Sequence, residues 1–466
     1  HWEQGYNRTI HPLSRDIKED ITHVDTIEYW YGWMDWKAAG VAIPVFSLRS
    51  EDSFGIGEFS DLKKMVDWAA ATEQKFIQVL PINDTINTHT WIDSYPYNAI
   101  SIYALHPIYL GLHQYPLKDE TLLNQYKSQA SKLNALKDVD YEKVLELKQS
   151  YLQSLYKESG KATLKSKEYQ DFYKENEEWL FPYACFSYLR DKYETADFRE
   201  WKQHSVFDLK KLAKFVATDK EAKEAVEILC FTQYLLHKQL VEVKEYAHAN
   251  SVILKGDIPI GISRNSVEAW VEPHLFNLDV QTGAPPDDFS FFGQNWGFPT
   301  YNWEEMAKDG YQWWEKRFRK MADYFDAYRI DHILGFFRIW EIPLSSVQGL
   351  LGYFSPALPL SVEEIRSAGM WFDEYRMTRP FIHEGFLGEI FGEYKQEVVD
   401  KFLRPVAWQL FELNDMCDTQ VKIKALFAGQ TDTKSAKLRD GLYGLCNEVL
   451  FIRDKRNPDK FHPRIT

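Results

Sequence analysis

The segment Ala327-Tyr-Arg-Ile-Asp331 decides the fold, because it is a short apolar strand candidate that ends in charged residues. The same pattern occurs in Val252-Ile-Leu-Lys-Gly-Asp-Ile-Pro-Ile260, and earlier in Val41-Ala-Ile-Pro-Val-Phe46 and Phe76-Ile-Gln-Val-Leu80. Helical patterns separate these segments, the first from about Phe59 to Ala71. Strands that alternate with helices are typical of βα units. We therefore predict an α/β fold with a parallel sheet.

This pattern divides the chain into four parts. Residues 1–110 contain the first two strands, and residues 246–343 contain the third and fourth strands. Between them, residues 111–245 are rich in Lys and Glu and repeat apolar residues at helical spacing, which predicts a mainly helical inserted subdomain followed by a helix of the parallel-sheet unit. Residues 344–466 are predicted to be mostly helical.

The composition excludes several classes of protein. The chain of 466 residues has 55 Lys and Arg against 69 Asp and Glu, a formal net charge of −14, which argues against binding to nucleic acid phosphates. No apolar run approaches the roughly 20 residues that span a bilayer, so we also expect no membrane partner. Cys185, Cys230, Cys417 and Cys446 are expected to be small buried hydrophobes in a reducing, cytoplasmic location. Because no group of potential ligands has metal-site spacing, we expect no metal or other cofactor.

Arg329 and Asp331 are the residues best suited to chemistry. Residues two apart in a strand share a face, so both would point into a pocket at the end of the strand. A guanidinium beside a carboxylate favours the ionised form that a carboxylate nucleophile requires. The spacing alone is equally compatible with a buried structural ion pair. His332 would project from the opposite face, and would reach the pocket only if the strand has already ended there.

Two segments combine aromatic and polar side chains without an apolar period. Gly283 to Pro299 mixes turn formers with aromatic residues and amides, a composition typical of functional lids and binding loops. Aromatic rings stack on sugar rings, while Asp, Gln and Asn bond the hydroxyl groups; the alternative is an ordinary packed surface loop. Trp91-Ile-Asp-Ser-Tyr-Pro-Tyr-Asn98 fits a wall of the same pocket, although Tyr-Pro-Tyr is also a common turn.

Taken together, these segments resemble glycoside hydrolase family 77, the 4-α-glucanotransferases, which include amylomaltases and disproportionating enzymes. The most specific match is Pro285-Pro-Asp-Asp-Phe-Ser290 followed by Gly293-Gln-Asn-Trp-Gly297. The segments after Pro343 resemble the plant cytosolic disproportionating enzyme 2 group and its bacterial relatives. The other segments that match the family, in its order, are Ala39-Gly40-Val41 with Gly55-Ile-Gly-Glu-Phe59, Ser94-Tyr-Pro-Tyr97, Lys255-Gly-Asp-Ile-Pro259, and Arg329-Ile-Asp-His332 with Trp340-Glu-Ile-Pro343. The segments that match the disproportionating enzyme 2 group are Gly352-Tyr-Phe-Ser-Pro356 and Arg379-Pro-Phe-Ile382.

The resemblance implies a (β/α)8 barrel of the α-amylase clan, with only its first half in this chain, and a retaining double-displacement reaction. Asp331 matches the family's nucleophile, Arg329 matches the arginine beside it, and His332 matches a residue that lines the donor subsite. The positions that the resemblance assigns to substrate binding are Tyr97, Asp257, Asp287, Phe289, Gln294 and Trp296.

The chain departs from the family at Asp288, where many members have Tyr, and at Phe298, where they have Asn. The family takes its acid/base from a Gly-Glu-Asp-Leu-Gly motif and a third carboxylate from a His-Asp motif, and neither motif occurs in residues 1–466. We therefore expect both residues to lie beyond residue 466 and this chain to be the N-terminal part of a catalytic domain. The glutamates left without a catalytic assignment are Glu384, Glu389, Glu393 and Glu448.

The function expected from this resemblance is transfer of glucosyl units from maltose or maltodextrins to an α-1,4-glucan such as glycogen or starch. The absence of the acid/base motif supports one alternative, a non-catalytic α-glucan-binding protein. Another alternative is an ordinary α-amylase hydrolase, which would release sugar without any dependence on an acceptor.

Overall fold

The structure, a computed structural model, describes residues 37–465. The two ends of the chain, His1 at the start of the predicted first part and Thr466 at the end of the last part, lie outside the described residues.

The described residues form an α/β structure. Its strands, in chain order, are β1 (Gly40–Ala42), β2 (Phe76–Gln78), β3 (Ile253–Ile258), β4 (Phe276–Asn277), β5 (Val280–Ala284), β6 (Gln294–Asn295), β7 (Thr300–Tyr301), β8 (Ala327–Ile330), β9 (Ile339–Pro343), β10 (Tyr353–Ser355), β11 (Leu360–Ser361), β12 (Ile382–His383), β13 (Leu403–Ala407), β14 (Leu410–Leu413), β15 (Phe451–Arg453) and β16 (Lys460–Pro463). Its α-helices are α1 (Asp61–Ala71), α2 (Glu120–Asn134), α3 (Tyr141–Leu155), α4 (Lys161–Thr163), α5 (Lys167–Tyr193), α6 (Leu209–Thr218), α7 (Lys220–Ala249), α8 (Val267–Val271), α9 (Trp303–Ala307), α10 (Gln312–Ala322), α11 (Val362–Ser367), α12 (Glu374–Thr378), α13 (Glu384–Phe391), α14 (Lys395–Phe402), α15 (Gln420–Leu426) and α16 (Thr433–Cys446).

The central sheet has the order β1-β2-β3-β8, and every pair in it is parallel. These are the four segments that the sequence predicts as strands, so the prediction of a parallel sheet is confirmed. The first strand is shorter than predicted. It ends at Ala42, and Pro44 then precedes a 3-10 turn at Val45–Ser47. Proline has no N–H to contribute to a ladder, which explains the early end.

The two outer strands of this sheet, β1 and β8, have no strand on their outer side within residues 37–465. Next to β8, the side chains of Ile330, Ile333, Leu334 and Phe337 are exposed. Stable proteins cover an apolar sheet edge of this kind with another strand, a helix or a loop.

Helices α2 to α7 lie between β2 and β3 in the sequence, and α7 is the last element before β3. Two glutamines of α7 clamp a loop that follows β2. Gln233 bonds both the N–H and the carbonyl of Leu105, at 2.8 and 2.7 Å, and Gln239 bonds both groups of Gly111, at 2.9 and 2.8 Å. These bonds satisfy backbone groups that are buried away from water, so the loop has one position against the helix.

A buried ion pair joins the helical insertion to the segment after β1. Lys148 of α3 donates from Nζ to Glu58 Oε1 at 2.6 Å and to the carbonyls of Ile108 and Leu110 at 2.7 and 2.9 Å. Both side chains are almost fully buried. All three donors of the ammonium group therefore have acceptors, which is the condition under which a buried charge is tolerated.

The residues after Pro343 contain helices α11 to α16 and also strands β10 to β16, which the sequence did not predict. The missed strands have two to five residues each, too short to show a regular alternation. Most of them form two small antiparallel sheets, of orders β11-β16-β15 and β12-β14-β13. This part has a core of its own, which includes Ile382, Leu387, Phe391, Val398, Cys417, Ile423 and Leu442.

All four cysteines are buried, and none forms a disulfide. Within residues 37–465, no helix combines the length and the apolar character needed to cross a membrane.

The buried pair gives a stability prediction. Lys148→Met should lower the free energy of unfolding by about 3–5 kcal/mol, because it leaves Glu58 as a buried charge without its partner. Urea denaturation measures the effect. Lys143→Met, on the same helix, removes an exposed pair with Asp140 and should leave the midpoint almost unchanged. Equal effects of the two variants would contradict the prediction.

Candidate active site

A pocket of about 320 Å³ lies at the carboxyl ends of β3 and β8. The carboxyl ends of parallel strands meet at one edge of a sheet, which is where α/β proteins place their binding sites. The lining residues are Tyr95, Tyr97, Pro259, Ile260, Trp296, Phe298, Arg329, Asp331 and His332.

Arg329 links two carboxylates at this edge. Its Nη2 donates to Asp331 Oδ1 at 2.7 Å, and its Nη1 donates to Asp257 Oδ2 at 2.7 Å. Asp257 stands opposite Arg329 in the parallel ladder of β3 and β8, so the register of the strands creates this contact. The side chains of Arg329 and Asp331 are 41% and 25% exposed, whereas that of Asp257 is fully buried. Arg329 and Asp331 are therefore not the buried structural pair that their spacing also allowed.

Tyr97 completes this network. Its hydroxyl donates to Asp257 Oδ2 at 2.7 Å and accepts a hydrogen bond from Arg329 Nη1 at 3.2 Å. Burial, and then the hydrogen bond and charge of Asp257, raise the pKa of Tyr97 above its ordinary value. Burial also raises the pKa of Asp257, against the opposing effects of Tyr97 and Arg329. Tyr97 thus remains a protonated donor whose hydroxyl has a fixed direction.

His332 reaches the pocket because β8 ends at Ile330. Its backbone is left-handed, with φ 47° and ψ 55°, a conformation that few residues other than glycine adopt. Its ring lies 4.9 Å from the ring of Trp296 at an angle of 82°, an edge-to-face contact. Burial lowers the pKa of His332, although Asp331 opposes the shift, so the imidazole is uncharged at neutral pH. The sequence analysis expects His332 to reach the pocket only if the strand ends before it, and β8 does end before it.

A second, antiparallel sheet of order β10-β9-β5-β6 carries the lid loop, which we define as residues 283–299. The lid begins in β5 and returns in β6, with Gly283 paired to Asn295. After β6, two backbone hydrogen bonds hold the return leg against Thr282. Trp296 N donates to the carbonyl of Thr282 at 2.9 Å, and Thr282 N donates to the carbonyl of Phe298 at 2.7 Å. This pairing places the side chains of Trp296 and Phe298 on the pocket wall.

Of the residues predicted from the sequence, the structure brings Tyr97, Trp296, Arg329, Asp331 and His332 together in this pocket.

Asp257 was predicted to bind substrate, but its side chain is fully buried beneath Arg329 and does not face the pocket. Its buried carboxylate contacts Arg329 and Tyr97 instead.

Three other predicted binding residues lie on the lid, outside the pocket. Asp287 Oδ1 accepts from the backbone N–H groups of Phe289 and Ser290, at 3.0 and 2.7 Å, and so shapes the turn at the lid tip. Phe289 is 95% exposed. Gln294 Oε1 accepts from Trp296 Nε1 at 3.0 Å, so Gln294 contacts the pocket only through that ring.

Sequence reasoning gave no individual role in the pocket to Tyr95, Pro259, Ile260 or Phe298, although it placed the segments of Tyr95 and Phe298 near it. Tyr95 belongs to the Tyr-Pro-Tyr segment already singled out, and Pro259 and Ile260 directly follow β3, so their positions carried a usable signal. Phe298 is buried against Gly261, where a Cβ would lie about 2.5 Å from its ring. Because Gly261 and Phe298 are far apart in the sequence, no local sequence pattern predicts this contact.

The carboxylates at the pocket, within the part of the chain that the structure describes, are Asp331 on the wall and Asp257 beneath it. No group of three or more His, Cys, Asp or Glu residues in residues 37–465 could hold a metal ion. The pocket therefore combines an accessible, oriented carboxylate with an uncharged imidazole and aromatic walls. This combination suits covalent attack on a neutral substrate that carries hydroxyl groups.

The profile of the glycoside hydrolase 77 family, described as 4-alpha-glucanotransferase, matches residues 43–427. Among relatives, 4-alpha-glucanotransferase DPE2 of Oryza sativa subsp. japonica is 46% identical over 443 residues, which are 92% of this chain and 46% of the relative. The 4-alpha-glucanotransferase of Chlamydia trachomatis is 35% identical over 308 residues, 65% of this chain and 56% of the relative. The chain thus spans about half the length of these curated relatives.

Among solved structures, the amylomaltase from Streptococcus agalactiae in complex with acarbose is similar, with a TM-score of 0.59 and 25% identity. The match covers 87% of this chain and 84% of that chain. The amylomaltase from Corynebacterium glutamicum matches with a TM-score of 0.56 and 21% identity, and covers 68% of this chain and 44% of that chain. The fold is therefore α/β of the amylase-like type.

The network around Tyr97 gives a prediction on ionisation. Asp257→Asn should lower the pKa of Tyr97, because it removes the negative charge that disfavours the phenolate while Arg329 remains in place. Titration of tyrosine labelled with ¹³C at the ring carbon that bears the hydroxyl, followed by NMR at alkaline pH, measures the shift, and Tyr97→Phe identifies the signal. Asp288→Asn on the exposed lid serves as the control. An unchanged or raised pKa of Tyr97 in Asp257→Asn would count against the network.

Proposed function

The chain belongs to glycoside hydrolase family 77, the 4-alpha-glucanotransferases, and we propose that the intact protein transfers glucosyl units from maltose or maltodextrins to an α-1,4-glucan such as glycogen or starch. The observation that carries this proposal is Asp331, an accessible carboxylate that Arg329 orients at the carboxyl end of β8. The four buried cysteines, none of them in a disulfide, support a reducing, cytoplasmic location.

In the first step, Asp331 would attack the anomeric carbon of the donor sugar. A bond forms between the carboxylate oxygen and that carbon, and the glycosidic bond to the leaving sugar breaks. The leaving oxygen takes a proton from a general acid, so that glucose is released when maltose is the donor. Arg329 holds one oxygen of Asp331 in a 2.7 Å hydrogen bond and keeps the carboxylate aimed at the pocket.

In the second step, the 4-hydroxyl of an acceptor glucan would attack the same carbon. Its proton passes to the conjugate base of the general acid, the bond to Asp331 breaks, and the free carboxylate is restored. Two displacements on one carbon retain its configuration. Water competes with the acceptor in this step, so transfer requires a site that holds sugar and excludes water.

The walls of the pocket fit this requirement. Trp296 offers an aromatic face from the lid, with the buried Phe298 beside it in the wall, and Tyr95 and Tyr97 offer aromatic faces from the opposite segment. Sugar rings stack on such faces. The uncharged imidazole of His332 can exchange hydrogen bonds with sugar hydroxyls without adding a charge beside Asp331. We propose that Asp287, Phe289 and Gln294 contact the acceptor where it enters past the lid.

We propose a (β/α)8 barrel for the complete catalytic domain, with β1, β2, β3 and β8 as its first four strands. The open edge of β8 and the exposed Ile333, Leu334 and Phe337 beside it support this architecture, since a further strand and helix would cover them.

The general acid and the third carboxylate would come from the strands that complete the barrel. Retaining enzymes hold two carboxyl groups about 5–5.5 Å apart across the reacting carbon. Asp257 is unsuited to the role of general acid, because its side chain is fully buried and already bonded to Arg329 and Tyr97.

Replacing the nucleophile is the direct test. In the intact protein, Asp331→Asn should reduce transfer by at least about a thousandfold, because an amide cannot form the glycosyl-enzyme. Incubation with a 5-fluoro-glucosyl fluoride, followed by intact-mass measurement, should show one added glycosyl unit in the natural protein and none in the variant. Asp288→Asn is the control and should retain activity. A rate for Asp331→Asn within tenfold of the natural protein would refute the assignment.

Dependence on acceptor separates transfer from the other functions. Release of glucose from maltose should rise steeply when glycogen is added, because glycogen accepts the glucosyl unit from the covalent intermediate. Glucose is measured with and without glycogen at fixed maltose. Release that ignores glycogen would indicate a hydrolase, and binding of glycogen without release would indicate a non-catalytic binding protein.

A further inference from the structure

The turn at residues 344–349 connects β9 to the part of the chain that follows Pro343, and it also touches both legs of the lid. The carbonyl of Ser346 accepts from Gln281 Nε2 at 3.1 Å, just before the outgoing leg, and from Asn295 Nδ2 at 3.2 Å, on the return leg. Ser346 itself is buried. One carbonyl of this turn therefore fixes the spacing of the two legs at the base of the lid.

The turn and the lid also pack backbone against backbone. A Cβ on Gly349 would lie 2.9 Å from both the N and the O of Gln294, and a Cβ on Gly293 would lie 3.2 Å from the backbone of Gly349. Trp340 Nε1 donates to the carbonyl of Gly349 at 2.8 Å and holds it in place. With no side chain between them, a displacement of the turn passes directly to the lid.

Gln420, the first residue of α15, determines where this turn lies. Its Oε1 accepts from the N–H groups of Val347 and Gln348, each at 2.9 Å. Its Nε2 donates to Gln348 Oε1, to the carbonyl of Tyr443 in α16 and to Asn447 Oδ1, at 3.0, 3.2 and 3.1 Å.

This glutamine is 1% exposed. A buried amide costs free energy unless its donors and acceptors are all used, and here they are. Gln420 therefore connects the turn to the core of the part after Pro343. It lies 73 positions after Val347 and 72 positions after Gln348 in the sequence.

We propose that Gln420 is a positioning residue for the lid, through which the part of the chain after Pro343 sets the balance between transfer to a glucan acceptor and hydrolysis by water. This inference rests on the proposed transferase function. The lid carries Trp296 and Phe298, which form the wall of the pocket opposite Tyr95 and Tyr97. A lid whose base has shifted would bind the acceptor less well and would admit water to the glycosyl-enzyme. Asp331 is held by Arg329 from the parallel sheet, so formation of that intermediate should not change.

The test is Gln420→Met in the intact protein, which keeps the volume of the side chain and removes its hydrogen bonds. The ratio of transfer to hydrolysis is measured with α-glucosyl fluoride as donor and maltose as acceptor. We expect the ratio to fall about fivefold and the acceptor KM to rise by a similar factor, the size expected for lost hydrogen bonds. Fluoride release at saturating donor without acceptor should not fall. The ratio does not depend on how much of the protein is folded, so a general loss of stability would leave it unchanged.

Gln396→Met is the matched control, because it makes the same substitution on the exposed surface of α14, where Gln396 contacts Asp400. It should leave the ratio unchanged. If Gln420→Met does not fold, Gly349→Ala displaces the lid from the other side, since its Cβ would press on Gln294, and it should lower the ratio in the same way.

A natural ratio in the Gln420→Met protein, or in the folded Gly349→Ala protein where Gln420→Met does not fold, would overturn the inference and leave the transferase function intact. An equal fall of the ratio in Gln396→Met would overturn it too. Absence of transfer in the unmodified protein would instead remove the proposed function, and the inference with it.

Discussion

The site depends on the parallel register of β3 and β8, which sets Asp257 opposite Arg329. Side chains alternate along a strand, so a slip of one residue would turn Arg329 and Asp331 away from the pocket. A buried carboxylate without a cation is strongly unfavourable, and Arg329 offsets part of that cost for Asp257 only in the observed register. The ion pair between Arg329 and Asp257 therefore also holds the guanidinium of Arg329 where it contacts Asp331. The register that pairs the two strands thus also orients Asp331, the proposed nucleophile.

The centre of the site could be predicted from the sequence because each of its parts shows a local pattern. The four parallel strands were visible as short apolar runs, and the shared face of Arg329 and Asp331 follows from the period of a strand. The same period alone would turn His332 to the opposite face, and it reaches the pocket because β8 ends at Ile330. These properties are local, and a few neighbouring residues determine them. The roles in sugar chemistry came from the resemblance of the motifs to a family, which local periodicity could not supply.

The rest of the site could not be predicted, because it depends on contacts between distant segments. Phe298 enters the pocket wall through its packing on Gly261 and its pairing with Thr282. The composition of the lid predicts aromatic contacts with sugar, but it does not show that Phe289 lies exposed at the lid tip, outside the pocket wall. The strands after Pro343 have too few residues to show a period, and the role of Gln420 depends on a turn more than 70 residues away. In each case the sequence shows the residue and not its partner.

The pocket is built from two supports. The parallel sheet holds Asp331 through Arg329, whereas the antiparallel sheet and the turn at 344–349 hold the lid. The ring contact between Trp296 and His332 joins the two sides. In the proposed mechanism, formation of the covalent intermediate would depend mainly on the first support, and the choice between sugar and water would depend mainly on the second. The departures from the family at Asp288 and Phe298 both fall on the lid, as does the contact with the part after Pro343. If the proposed mechanism holds, changes on the lid side could therefore alter acceptor use while the proposed chemistry at Asp331 stays the same.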